Sequence, residues 1–230
     1  MAARRHRVAW MALVAAGVLV GYPALRIARA RFFPKRYDVV SIERAPEYQD
    51  PALLARAWAL PAASRYDHRV DAQQNVSVCG PTSAANLFRS LGAPATTAEA
   101  VLAGTGRCRV LGYCWNGLTL DELADVVRLK TDRKVTVLRD LTLAQFREEL
   151  ARANDPGRRY IVNFHRGLLF GRGGGHHSPV GGYLADRDLV FVLDVNATYG
   201  PWLVSTERLF HAVDSVDPES HRKRGLLVLE

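Results

Sequence analysis

The spacing of apolar residues changes character three times along the chain. Residues 8–25 contain no charged side chain. At ~1.5 Å per residue this run makes roughly 27 Å of helix, against a bilayer core of about 30 Å. Arg4, Arg5 and Arg7 precede it and Ala28-Arg29-Ala30 follows it. Residues 1–36 are therefore predicted to be a membrane anchor or signal segment, and Arg26 and Arg29, crowding the small-residue site, favour an uncleaved transmembrane helix. Residues 37–74 are irregular, punctuated by Pro46, Pro51 and Pro61, with one short helix expected over 51–60. Then helical spacing begins: Ala84, Leu87, Phe88 and Leu91 recur at i, i+3, i+4 and i+7, with Gly80-Pro81 at the start and Gly92 at the end. Three further helix starts carry the capping-box pattern: Thr96 with Glu99, Thr119 with Glu122, and Thr142 with Gln145. From Arg159 onward β-type runs take over, at 160–165, 178–184 and 189–195 with a turn at 185–188. A helix over 206–213 and a strand over 225–229 complete the pattern. Helices first and antiparallel strands afterwards predict an α+β fold.

The chain has 230 residues, room for one catalytic domain, taken as 37–230, behind the N-terminal segment. Its net charge of +8 is a property of that segment. Eight of the 31 Lys and Arg, and no acid, fall within residues 1–36, which leaves 23 cations against 23 anions beyond them. The balance points to anionic lipid and targeting, not to nucleic acid. HRKRG, from His221 to Gly225, is the remaining basic cluster and is expected to be a solvated turn. Five cations follow the apolar run and three precede it, which counts mildly against export. A short basic tail before a single span nevertheless favours a catalytic domain on the periplasmic side of an inner membrane. In that compartment Cys108 and Cys114 would pair, leaving Cys79 as the odd thiol among three cysteines.

Cys79 stands at the predicted helix start, where unpaired amide groups favour the thiolate. Gln73, six residues earlier, has a side-chain amide able to donate to an oxyanion forming beside the sulfur; Asn86 and Gln74 read as ordinary surface amides. A cysteine nucleophile needs a base and the base an orienting group. Within GGGHHSPVGGYLADRDLVFVLDV, a hairpin turning at 185–188 brings His176 near Asp194, and His177 is an alternative base. The glycines before His176 would let a substrate approach the backbone.

The stretch HRGLLFGRGGGHHSPVGGYLADRDLVFVLDV, followed by VDSVD and KRGLLVL, resembles the catalytic domain of phytochelatin synthases. That family's pattern reads HRG, GHFSPIGGY, ILDV, a helix ending in DSID, and a basic RRGF strand. The resemblance runs over roughly residues 50–230 and is most specific from Phe164 onward. It implies a papain-like cysteine peptidase fold, with Cys79 of VCGPTSAANLF as nucleophile, Gln73 at the oxyanion, His176 as base and Asp194 as its orienting acid. His177 takes the place of the family's aromatic. Arg166 of HRG, Gly175 and Ser178 are expected at the substrate.

The activity implied is that of a glutathione γ-glutamylcysteinyltransferase: cleavage of glutathione or its conjugates at the Cys-Gly bond through a thioester. No catalytic metal is implied; cadmium or zinc would act on substrate thiolates, in heavy-metal detoxification or glutathione turnover. The resemblance leaves room for a homodimer. The plant members' cysteine-rich extension has no counterpart here, which implies the short bacterial type, and Ala197 stands where the family commonly has arginine, three residues after the acid. Both departures favour water over a second glutathione as acceptor. Two other readings are weaker: a bacteriocin-leader peptidase is disfavoured by SPVGGY, and an inactive membrane-tethered binding module by the complete triad.

Overall fold

The structure, a computed structural model, describes Gly21, residues 36–108 and residues 112–230. The predicted transmembrane helix over residues 8–25 lies outside the described residues apart from Gly21. Among the described residues no helix is long and apolar enough to cross a membrane. Chain contacts group residues 38–230 into one compact unit.

Its centre is a six-stranded antiparallel sheet, order β1-β8-β2-β3-β4-β5. The strands are β1 (Val135–Leu138), β2 (Arg159–His165), β3 (Gly175–Leu184), β4 (Leu189–Leu193), β5 (Pro201–Ser205) and β8 (Gly225–Leu229). β6 (Val216–Asp217) and β7 (Arg222–Lys223) form a separate two-residue ladder. The helices are α1 (Pro51–Trp58), α2 (Cys79–Ser90), α3 (Ala98–Leu102), α4 (Leu120–Arg128), α5 (Leu143–Ala151), α6 (Gly167–Phe170) and α7 (Thr206–Val213).

Both sheet faces are covered, which explains why the strands read as nearly continuous apolar runs. Tyr160, Val162 and Phe164 of β2 point into a cluster with Phe146 and Leu150 of α5, Trp202 of β5 and Leu209 of α7. Ile161, between them, joins Leu227 and Leu229 of β8 in packing on Leu87 and Phe88 of α2 and Leu123 and Val127 of α4. Each such fully buried side chain contributes about 1.5–3 kcal/mol. The third cluster seats α1 on the far end of the sheet, with Ala57 against Phe191 and Leu203.

Local chemistry sets the helix starts. Thr119 and Thr142 form complete capping boxes with Glu122 and Gln145. At α3 the cap is Thr97, not Thr96: Thr97 accepts from the Ala100 amide, while Thr96 is held in the preceding turn by its bond to Pro94. The α+β expectation holds, with three local corrections. β1 lies inside the stretch expected to be helical, and β5 extends the sheet beyond β4. β3 starts at Gly175, so both histidines lie within the strand.

Cys108 and Cys114 form a disulfide, and Cys79 is the free cysteine among the described residues. The bridge closes a small loop, for which the chain-entropy model gives only ~2 kcal/mol. Cys108→Ser is accordingly expected to lower unfolding free energy by about that amount and to leave kcat largely intact. Denaturant titration and a thiol count before and after reduction check both the pairing and its effect.

Candidate active site

The site forms where α2 begins over β3. The helix starts at Cys79 without a side-chain cap, which leaves its first amide groups to act on the sulfur. Gly80 faces the Leu123 methyls and His177: a Cβ built there would lie in van der Waals contact, 3.4 Å from the methyls and 3.6 Å from His177 Nδ1. Ser83 Oγ donates to the His177 carbonyl at 3.0 Å, fixing helix to strand.

Cys79, His176, His177 and Asp194 are all buried. His176 Nε2 and Asp194 Oδ1 are 3.0 Å apart, and the charge of the ring acts on the Cys79 sulfur. Asp194 is held on every side: it accepts from Trp202 Nε1 at 3.0 Å, from the Asn196 amide at 2.8 Å and from Arg166 Nη2 at 2.7 and 2.9 Å. Burial pushes the Asp194 carboxyl up, but His176, Arg166 and the Asn196 amide together hold it at about 2. Burial likewise opposes charge on His176 and Cys79. The Asp194 charge overcomes it at His176, whose pKa is raised; the two histidines overcome it at Cys79, whose pKa is well below that of an ordinary thiol. These opposite shifts favour a thiolate–imidazolium pair.

Gln73 is tied to the same region, since its backbone amide donates to the Val195 carbonyl at 2.7 Å. Its side-chain nitrogen donates to the Asn75 carbonyl at 3.0 Å. Asn86 departs from the sequence expectation. It is fully buried, and it pins Asp71 to α2 through Asp71 N and O at 2.8 and 2.9 Å.

In front of the sulfur opens a cleft of about 490 Å³, bordered by Cys79, Gly175, His177, Asn163, Asp217 and Arg224. Gly175 lies on it. A Cβ at Gly175 would fall within 2.9 Å of Arg224 Cζ, so this glycine makes room for the Arg224 guanidinium. Two other residues expected at substrate are placed elsewhere. Ser178 is 0% exposed. Arg166 is buried, paired with Asp194 and stacked on Tyr199 with its Cζ 4.3 Å from the ring centroid. The guanidinium satisfies the carboxylate behind His176 and does not border the cleft.

Sequence reasoning missed the cleft's charged end. Arg224 Nη1 donates to Asn163 Oδ1 at 3.3 Å and Nη2 lies 3.6 Å from Asp217. The basic cluster is thus no solvated turn. Arg222 pairs with Asp121, Lys223 with Asp214, and Arg224 is buried. One signal was available: Asn163 interrupts the apolar run from Tyr160 to Phe164.

A buried Cys–His–Asp series at a helix start, set over an antiparallel sheet, defines the class: papain-like cysteine peptidases and their acyl-transferring relatives. The chain belongs to the phytochelatin synthase family, whose pattern it matches over residues 51–226. Over 90 residues, 38% of this chain, it is 34% identical to glutathione gamma-glutamylcysteinyltransferase 2 of Arabidopsis thaliana. Over 118 residues, 50% of this chain, it is 26% identical to the glutathione gamma-glutamylcysteinyltransferase of Schizosaccharomyces pombe. These matches span only 20% and 28% of those proteins' lengths. Among solved structures, a putative C39-like peptidase from Bacillus anthracis aligns with a TM-score of 0.51 at 12% identity. That alignment covers 72% of this chain and 96% of the other, a likeness of fold.

Proposed function

We propose that the protein cleaves glutathione or its conjugates at the Cys-Gly bond, with Cys79 as nucleophile, His176 as proton carrier, Asp194 as its orienting acid and Gln73 at the oxyanion. The observation that carries this reading is a buried cysteine at the head of a cleft ending in Arg224 and Asp217, under the charge of a histidine paired with Asp194. An arginine and an aspartate side by side suit the α-carboxylate and α-ammonium of a γ-glutamyl group.

The thiolate attacks the Cys-Gly carbonyl, and the resulting oxyanion is met by the Cys79 amide and the Gln73 side chain. The C–N bond breaks as His176 gives its proton to the departing glycine nitrogen. A γ-glutamylcysteinyl thioester remains. Water then attacks, His176 takes its proton, the C–S bond breaks and the thiolate is restored. The Gln73 amide nitrogen carries two hydrogens; one donates to the Asn75 carbonyl, which leaves the other for the oxyanion.

Cadmium or zinc enters this scheme bound to substrate thiolates. The N-terminal segment anchors the enzyme with its catalytic domain in the periplasm, and the Cys108–Cys114 disulfide supports an oxidising compartment. The role is glutathione turnover or heavy-metal detoxification.

Ala197 is exposed and offers no guanidinium for the carboxylates of an acceptor glutathione. Water is therefore expected to prevail. At millimolar glutathione γ-glutamylcysteine should exceed polymer, and Ala197→Arg should move the ratio toward polymer with little change in glycine release. Chromatography of products from glutathione and from unrelated peptides, with and without cadmium, tests this. Predominant polymer from the unmodified protein refutes the hydrolytic preference. Cleavage of unrelated peptides with glutathione left intact refutes the substrate.

A further inference from the structure

The scheme above leaves one buried ring at the nucleophile without a task. His177 Nδ1 lies 3.8 Å from Cys79 Sγ, within reach of a hydrogen bond to sulfur, and the residue is buried. His176 and His177 are consecutive in β3, so their rings leave opposite faces of the strand. His176 stands across from Phe164, meeting its ring edge-on at 5.5 Å, with Asp194 behind it. His177 stands across from Asn163 and borders the cleft, which His176 does not. His177 thus reaches the sulfur directly, while His176 is attached to the carboxylate and acts on the sulfur through its charge.

The His177 backbone is fixed to α2, its carbonyl accepting from Ser83 Oγ at 3.0 Å. Nε2 is buried and has no hydrogen-bond partner among the described residues. Sulfur is therefore the polar neighbour the ring faces within the protein.

We infer that His177 is a second catalytic histidine, whose Nδ1–H donates to the Cys79 thiolate from the cleft side while His176 and Asp194 move the protons. The inference rests on Cys79 being the nucleophile. Its chemical logic concerns the moments when His176 cannot help. Once His176 has given its proton to the departing amine it is neutral, and it must be neutral to accept a proton from water. A donor independent of Asp194 keeps the sulfur stabilised as it leaves the thioester. The position held by an aromatic in the family pattern becomes a functional group in this chain. No net proton transfer through His177 is required; the bond is made to the thiolate and released on acylation.

The charged groups around the ring do not supply this donor. Arg224, reaching in from the start of β8, is engaged with Asn163 and Asp217. Glu122 of α4, on the cleft wall, is paired with Arg107. Glu219, also on the wall, accepts from Asn116 at 3.2 Å.

The test uses the full, unreduced protein, in which the Cys108–Cys114 disulfide leaves Cys79 as the titratable thiol. Its alkylation by iodoacetamide is followed against pH, beside thermal unfolding. The unmodified protein should react with a midpoint far below the ~8.5 of a free cysteine. His177→Phe should raise that midpoint by about one unit, roughly a tenfold slower reaction in the acidic range. His177→Asn, whose amide nitrogen can occupy the place of Nδ1, should recover most of the loss. If the Phe variant unfolds, His177→Ala against His177→Asn makes the same comparison. An identical midpoint in the Phe or Ala variant overturns the inference and leaves Cys79 as nucleophile. A midpoint near 8.5 in the unmodified protein removes both.

Discussion

Cys79→Ser is expected to lower glycine release from glutathione by at least about a thousandfold, ~4 kcal/mol of barrier, and to leave no acyl-enzyme on the chain. The reason is the state of the sulfur. Burial opposes charge at this site, and the two histidines outweigh it only because a thiol ionises readily. A serine hydroxyl in the same place would stay protonated, since its intrinsic acidity is far weaker than that of a thiol. Its oxygen would also sit closer to Cβ than the sulfur does, withdrawing from an imidazole already 3.8 Å away at His177. Intact-mass measurement after incubation with glutathione reports the thioester directly, and amino-acid analysis reports the glycine. Activity above a few per cent of the original would end the assignment of Cys79 as nucleophile.

Arg166→Met should produce the largest loss of stability of any single change near the site, about 3–5 kcal/mol, because it strands a buried carboxylate. Asp194 is fully enclosed, and both its oxygens accept from Arg166 Nη2. A melting temperature lower by roughly 10 °C or more is the expected reading for a domain of this size. Catalysis should fall mainly in kcat, because the displaced carboxylate no longer orients His176. Arg166→Lys keeps the charge but loses the planar stack on Tyr199, and should recover only part of both. This result would separate the observed place of Arg166 from the role expected of it in sequence. A residue that only touched substrate would raise KM and leave the unfolding transition where it was.

Much of the fold was legible because its signals are local. Thr119 and Thr142 announce helices through partners three residues away, and α7 and β8 fall on their predicted boundaries, Thr206–Val213 and Gly225–Leu229. β1 was illegible for the opposite reason. Val135–Leu138 is half-buried and becomes a strand by pairing with β8, some ninety residues later, through Val135↔Leu229 and its neighbours. Asn86 looked like a surface amide because nothing in its vicinity reveals that Asp71 folds back onto it. The basic cluster before β8 was misread because three consecutive cations find three separate carboxylates, on α4, just past α7 and on β6.

The sequence by itself determined the α+β order of elements, a cysteine at a helix start, and a histidine and an aspartate on adjoining strands of one hairpin. Helix capping, strand alternation and turn chemistry operate over a few residues and survive translation into one dimension. Tertiary structure alone decided which charges are spent on the protein and which face the cleft. Arg166 is turned inward because β4 delivers Asp194 to it across 28 positions. Arg224 is turned into the cleft because Gly175 leaves space for its guanidinium. His177 reaches the sulfur across 98 positions because α2 lies over β3, tied to it by Ser83 Oγ on the His177 carbonyl. Side-chain direction at such contacts follows from how helix and sheet pack, and packing is a property of the whole domain, so no local pattern could have carried it.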